Sequence, residues 1–475
     1  MNNSVPAEPP LPERGRLPFT VKLAYGAGDL GAAITANVTA IYALVFFTNV
    51  AGLNPGLAGS VLLLGKIWDA VNDPIVGVLS DRTQSRWGRR YPWMIFGAIP
   101  FGLVFVLQWI VPQFDQWGLF WYYVLIGVLF NTFYTAVNLP YTALTPELTQ
   151  DYDERTSLNS FRFTFSIGGS ILSLILALGT FSLLKVPPAQ QYLTLAIVAA
   201  IISVLPLYWC FFGTRRYAVL DSKSDDTASI PYFEQVRIAF TNGPFLFVVG
   251  IYLCSWLALQ NTVAVIPYFV KEWMQLRQDQ WFTAVIAMVQ VVALATLFVW
   301  SLVSARVGKK GTYFMGMGLW ILAQAGLFFL QPGQISLMFL LAVMAGFGVS
   351  TAYLVPWSMI PDVIELDELK TGQRREGIFY GYMVLLQKIG LAIGLFLVGQ
   401  ALQWSGFIKP TAELPVPVQP DSALLAIRLM IGPIPTVILL GGLILAYFYP
   451  LSREVHAEIL LQLQARKEAE RGGAE

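Results

Sequence analysis

Residues 66–74 read Lys-Ile-Trp-Asp-Ala-Val-Asn-Asp-Pro and lie inside an apolar run near 57–80. A run of that length can cross ~30 Å of hydrocarbon as a helix. Asp69 stands 12 residues into it, which at 1.5 Å per residue is ~18 Å along the axis, near mid-membrane. Asp73 follows four residues later and shares the same helix face. An ionised side chain at that depth costs roughly 3 kcal/mol on insertion scales, so two on one face need a stabilising partner. A small cation held by hard oxygen ligands would serve, as would a shared proton, or a Lys or Arg from a neighbouring helix.

Outward from this block the chain repeats the theme. Apolar segments lie near 22–49, 57–80, 92–112, 118–146, 158–183, 190–213, 236–270, 280–304, 311–331, 335–363, 376–405 and 424–449. This predicts an all-α membrane protein with twelve transmembrane helices. The composition agrees: of 475 residues, 56% are apolar and only 12% charged, with 40 Gly, 28 Pro and 14 Trp, a usage that suits membrane helices with aromatic belts. Lys plus Arg number 30 and Asp plus Glu 29, which leaves no basic excess for nucleic acid. Cys210 and Cys254 sit in apolar runs and read as small buried hydrophobes, and His456 is the sole histidine. Neither a Cys/His zinc site nor a His-based triad can be built from that set, so an enzyme is not expected. The Pro-rich start, residues 1–21, reads as a cytoplasmic arm rather than a signal peptide.

Basic residues cluster in alternate loops. Arg82, Arg86, Arg89 and Arg90 follow the second span, and Arg215, Arg216 and Lys223 the sixth. Arg306, Lys309 and Lys310 follow the eighth, and Lys370, Arg374 and Arg375 the tenth. The opposite loops hold Lys185, Lys271, Arg277 and Lys409. This asymmetry predicts that both termini are cytoplasmic, in an inner or plasma membrane. The chain also repeats itself. Ser80-Asp81-Arg82 with Gly88-Arg89-Arg90 returns as Ser304-Ala305-Arg306 with Gly308-Lys309-Lys310, and Pro140 with Pro146-Glu147 returns as Pro356 with Pro361-Asp362. Ser80 to Ser304 is 224 residues and Pro140 to Pro356 is 216. Two parallel halves follow, a six-helix bundle at 22–213 and another at 236–449, joined by a cytoplasmic linker, 214–235, and followed by a solvated, helix-prone tail, 450–475. A carrier built this way places its substrate between the halves at mid-membrane.

Other polar residues inside spans are candidates for that site. Lys388, about mid-way along span 11 after Gln387, would reach Asp69 or Asp73 across the halves, holding the carboxylates when no cation is present. Thr135 and Asn138, three apart on span 4, could complete a cation shell or bond a substrate. Arg162 near the start of span 5 could face the cavity and bind hydroxyls, a carboxylate or a phosphate. Tyr25 and Asp29 in span 1, Gln260 and Asn261 in span 7, and Tyr353 and Trp357 in span 10 are further cavity candidates. Gly390 and Gly394 form a small-xxx-small pattern that implies close helix packing. Asp81 with Arg82, Arg89 and Arg90 is expected to act as a gate, latching the halves shut on the cytoplasmic side.

The sequence resembles the major facilitator superfamily and, within it, the glycoside–pentoside–hexuronide cation symporters of the melibiose-permease type. The resemblance rests on Tyr25-Gly26-x-Gly28, on Lys66 to Pro74 with Ser85-Arg86-Trp87-Gly88, and on Asn138-Leu139-Pro140-Tyr141. It implies two bundles working by alternating access, with Na⁺ or H⁺ as coupling ion, no other cofactor, and a small-molecule substrate, a sugar, moving inward. The family's cation-site carboxylates match Asp69 and Asp73, its span 4 threonine Thr135 and its span 11 lysine Lys388. Its sugar-holding span 1 aspartate falls on Ala33, its span 4 aspartate on Asn138, and its stacking tryptophan on Thr142; its span 5 arginine meets Arg162 after a one-residue shift. Coupling is therefore implied more fully than galactoside recognition. The stretch Pro356 to Ile364 is similar to the sodium-dependent lysophosphatidylcholine transporters, so a lysophospholipid carrier with the same cation machinery is the alternative. A membrane receptor without net flux is a second one, and a monomer is expected.

Overall fold

The computed structural model describes residues 17–149, 152–217, 232–373, 375–411, 413–414, 416–451 and 453–472. Most of the expected N-terminal arm and residues 218–231 of the expected linker lie outside them. The apolar runs become helices because lipid offers no partner to a backbone N–H or C=O, so each segment satisfies its own. The first run of elements is α1 (Phe19–Asn49), α2 (Pro55–Arg82), α3 (Tyr91–Leu107), α4 (Gln116–Thr142), a single turn α5 (Thr145–Leu148), α6 (Tyr152–Leu183) and α7 (Pro188–Thr214).

The second run departs from the expected boundaries where caps and prolines intervene. The stretch 236–270 is divided into α8 (Tyr232–Thr241) and α9 (Gly243–Tyr268). Asn242 caps the new helix, accepting from Phe245 N at 3.1 Å, and Pro244 has no N–H with which to prolong the old one. α9 widens into a π turn, Phe269–Trp273. α10 (Asp279–Phe329) contains both expected spans 280–304 and 311–331, divided at Gly308, whose φ of 78° and ψ of 167° are not helical. α11 (Ile335–Thr371) outruns its expected end and stops at left-handed Gly372. After α12 (Glu376–Trp404), the run 424–449 is broken at Gly432 into α13 (Asp421–Ile431) and α14 (Pro433–Phe448), since Pro433 and Pro435 cannot continue the ladder. The tail forms α15 (Arg453–Gly472). It is not merely solvated: Ile459 and Leu463, four apart on one face, are buried, and His456 Nε2 lies 2.6 Å from Glu365 Oε2 of α11.

Among the described residues, nine helical segments are long and apolar enough to cross a membrane. That set counts α10 once and leaves out α2, which carries Lys66, Asp69 and Asp73, and α3, which has 17 residues. α1 packs on α6 and α7, α2 on α4, and α3 on α4 and α7; in the second set α9 packs on α12, α14 and α11, and α10 on α11 and α14. The two sets meet where α2 lies along α12 and α6 along α10.

The buried apolar side chains show which end is closed. At the end away from the basic loops, one cluster joins both sets, with Phe46, Trp109 and Tyr192 alongside Tyr268, Phe282 and Leu402. At the basic end there are two separate clusters: Tyr25, Tyr91 and Tyr141 in the first set, and Tyr313, Met359 and Phe379 in the second. Hydrogen bonds between the sets gather at the closed end. Tyr42 donates to Thr283 at 3.1 Å, Tyr192 to Asp279 at 2.6 Å, Gln400 to Gly56 O at 3.1 Å and Lys409 to Asn54 at 3.1 Å. Asp279 is also paired with Lys271. Gly399 on α12 allows the closest approach: a Cβ there would stand 2.5 Å from Pro55 O and 2.9 Å from Gly59 Cα.

A bulkier residue at 399 should therefore pry this end open. Gly399→Val is expected to speed maleimide labelling of a single cysteine at position 56, in a background without Cys210 and Cys254. Labelling at the Gly399 rate would show that the contact does not hold the end shut.

Candidate cation and substrate site

The site starts from one helical turn. Asp69 and Asp73 project from the same face of α2 toward α4 and α12, because four residues bring a helix round to nearly the same angle. Thr135 on α4 donates to Asp73 Oδ1 at 2.9 Å and lies 3.3 Å from Asp69 Oδ1. Lys388 on α12 brings Nζ to 2.5 Å from Asp73 Oδ2 and 3.2 Å from Asp69 Oδ2. A lysine of one set thus spans both carboxylates of the other. Lys66, one turn before Asp69, lies 3.4 Å from Asp69 Oδ2 and donates to Asn131 Oδ1 at 3.2 Å. The two carboxylates differ in access: the Asp69 side chain is 1% exposed and that of Asp73 32%. Asp73 is the more exposed member. With the Lys388 ammonium moved aside, the carboxylate and hydroxyl oxygens make a hard-donor set suited to Na⁺, and the carboxylates could equally carry a proton.

Two cavities meet beside this cluster. One, of about 290 Å³, is lined by Lys66, Asp69, Asn131 and Lys388. The other, of about 620 Å³, lies between the sets and is bordered by Asp29, Ser166, Gln260 and Tyr353. Trp256, Gln387, Tyr134 and Leu391 line both. Trp256 is fixed by its own bond, Nε1 to Gln387 O at 3.0 Å, and by an edge contact to Tyr353. Arg162 Nε stands 3.5 Å from Asp29 Oδ2, so a charge pair flanks the larger cavity. Its second-set wall is mainly aliphatic, including Leu294, Leu297, Leu327, Met338 and Val349.

The family model for MFS/sugar transport proteins matches residues 24–453. The chain belongs to that family. An uncharacterised symporter of Synechocystis sp. is 49% identical over 95% of this chain and 98% of its own length. The sodium-dependent lysophosphatidylcholine symporter 1-A of Danio rerio is 28% identical over 94% of this chain and 89% of its own. Among solved structures, a bacterial homologue of the human lysosomal transporter Spinster, in an inward-facing and unoccupied conformation, superposes with a TM-score of 0.69 at 12% identity, covering 94% of this chain and 99% of that one. The fold is therefore the major facilitator fold, and the protein is a membrane transporter of the symporter type rather than an enzyme.

Within this MFS chain the sequence candidates divide. Asp69, Asp73, Thr135 and Lys388 come together, and Asp29, Gln260 and Tyr353 line the larger cavity with Arg162 beside it. Asn138 does not bond to the carboxylates; its Oδ1 is buried without a partner, and the amide that joins the cluster is Asn131, two turns earlier on α4. Tyr25 is a core residue, fully buried, stacked on Tyr141 and bonded to Thr145 at 2.6 Å. Gly28 makes room for that stack, since a Cβ there would meet Tyr141 at 2.4 Å. Asn261 is likewise structural, donating to Met430 O at 2.7 Å beside the α13–α14 break. Thr142 returns its hydroxyl to Leu139 O at 2.9 Å, and Trp357 stacks on Tyr380. Gly390 and Gly394 do allow close packing, against Trp256 and Gln260 of α9.

The expected gate residues lie at the open end. Arg89 and Arg90 both reach Glu147 Oε1 within their own set, at 2.8 and 3.4 Å, and Arg82 is exposed; the Asp81 side chain lies outside the described residues. At the open end these pairs tie together helix ends of one bundle. Sequence reasoning passed over Lys66, Asn131 and Trp256. The i, i+3 spacing of Lys66 to Asp69 could have found the first; for the other two the sequence holds no signal of a cavity position.

Thr135→Val keeps the shape and removes the hydroxyl that lies against both carboxylates. About tenfold weaker stabilisation by cation is expected, read as the Na⁺ and pH dependence of the melting temperature in detergent. An unaltered titration would remove Thr135 from the cation shell.

Proposed function

We propose that this chain is a Na⁺- or H⁺-coupled symporter that imports a sugar or glycoside-like small molecule by alternating access. In this reading it is a monomer of twelve spans, the nine apolar segments being completed by α2, α3 and the second rod of α10. Bundles 22–213 and 236–449 flank a cytoplasmic linker, and both termini are cytoplasmic, in an inner or plasma membrane. The basic loops then face the cytoplasm, and the end where the apolar clusters part opens inward.

The observation that carries the reading is Lys388 Nζ on Asp69 and Asp73. It supports an inward-open carrier in which the Lys388 ammonium holds the place on the carboxylates that a cation would take. From the outside, a cation takes the carboxylates, with Thr135 and the unpartnered Asn138 as neutral ligands, and releases Lys388. Substrate then binds the larger cavity, bounded by Asp29, Arg162, Gln260 and Tyr353. Linkage requires each ligand to raise the other's affinity by the same factor. The wall shared by the cavities, Trp256 and Gln387, is a physical route for that coupling. After both leave to the cytoplasm, Lys388 re-engages and the carrier resets.

A second reading, a lysophospholipid symporter, is favoured by one observation: the aliphatic second-set wall would suit an acyl chain. A receptor without flux has no use for a lysine that resets the site.

Proteoliposome uptake with an imposed Na⁺ or H⁺ gradient tests the proposal, using a radiolabelled galactoside, a pentose disaccharide and lysophosphatidylcholine as probes. Gradient-driven accumulation of one of them is expected in wild type and is expected to be abolished in Asp69→Asn, with exchange spared. Full accumulation in the mutant would refute the coupling role of Asp69.

A further inference from the structure

Asp69 Oδ2 is shared by two ammonium groups, Lys66 Nζ at 3.4 Å and Lys388 Nζ at 3.2 Å. With Asp73 included, the cluster carries two negative and two positive charges. Asp29 and Arg162, beside the larger cavity, form a pair of their own and add nothing net. The two lysines are tethered differently. Lys388 belongs to α12 in the second set, so a rocking motion between the sets can withdraw it. Lys66 rides on α2, three residues from Asp69, and is tied to α4 through Asn131. It stays with the carboxylates whichever way the sets move.

We infer that Lys66 is a resident counter-charge that limits this site to one monovalent cation and weakens its hold on that cation. When Lys388 leaves, two carboxylates and Lys66 sum to one negative charge, which a single Na⁺ or proton neutralises. A second cation would enter a site already neutral and would meet a fixed ammonium at short range in a medium of low dielectric. One cation per cycle follows, and so does easy release, because the cation competes with Lys66 for Asp69. This inference rests on the symport reading above.

The test is ²²Na⁺ equilibrium binding to the full chain in detergent. Wild type is expected to bind no more than one Na⁺ per chain. Lys66→Gln, which keeps a side chain able to bond Asn131, is expected to bind Na⁺ about tenfold more tightly or to take a second ion. Adding Asp69→Asn should remove the gain, and Lys66→Arg, which keeps the charge, should restore the wild-type value. A wild type that binds two Na⁺ overturns the inference without any variant, and so does a folded Lys66→Gln with unchanged affinity and occupancy. If wild type uses only protons and binds no Na⁺, the appearance of Na⁺ binding in Lys66→Gln supports the inference, and its absence refutes it. Gradient-driven uptake that fails in wild type sinks the symport reading, whereas intact uptake with unaltered Na⁺ binding in Lys66→Gln sinks this inference alone.

Discussion

Two carboxylates held at the middle of a lipid-embedded bundle are the constraint from which the arrangement follows. Neither can be ionised there alone, because the interior screens charge poorly. Their compensation comes from two directions, Lys66 on the same helix and Lys388 across the divide. The contact of α2 with α12 therefore joins the two sets electrostatically as well as by packing. Removing either partner alone would strand a charge, which is costlier than never having buried the pair.

The internal repeat is expressed as matching chemistry. Gly88 and Gly308 both adopt positive φ, 89° and 78°, conformations that side-chain-bearing residues rarely take. Each turns the chain into a basic pair, and each pair finds an acid in its own set: Arg89 with Glu147 at 2.8 Å, Lys309 with Asp362 at 2.7 Å. These ion pairs tie together the helix ends of a single set at the open end. Between the sets, ties lie at the carboxylate cluster and at the closed end.

The helices, the alternation of basic loops and the meeting of Asp69, Asp73 and Lys388 were legible because each rests on a one-dimensional signal: span length, loop charge, or an ionisable residue with no excuse for its depth; Thr135 was legible by its match to the family's span 4 threonine. Boundaries failed where chain chemistry overrode hydropathy, as at Asn242-Gly243-Pro244 and at Gly432-Pro433. Polar residues in apolar runs were an ambiguous signal. Asp29 borders the cavity, yet Tyr25, four residues earlier, is locked into the core by Tyr141, and Asn261 satisfies a carbonyl at a helix break. Which of these a buried polar group does depends on the partner across the gap, and that partner is set by three-dimensional packing. Trp256 was invisible for the same reason: nothing in a sequence of apolar residues marks one that lines two cavities.

The carboxy-terminal helix is anchored, by His456 to Glu365 and by Ile459 and Leu463 to the second core. A fluorophore placed on its exposed face, as at Leu461, would be carried along with the second bundle. Its orientation would report how that bundle tilts, and the free tumbling usual for a label on a loose terminus would not blur the signal.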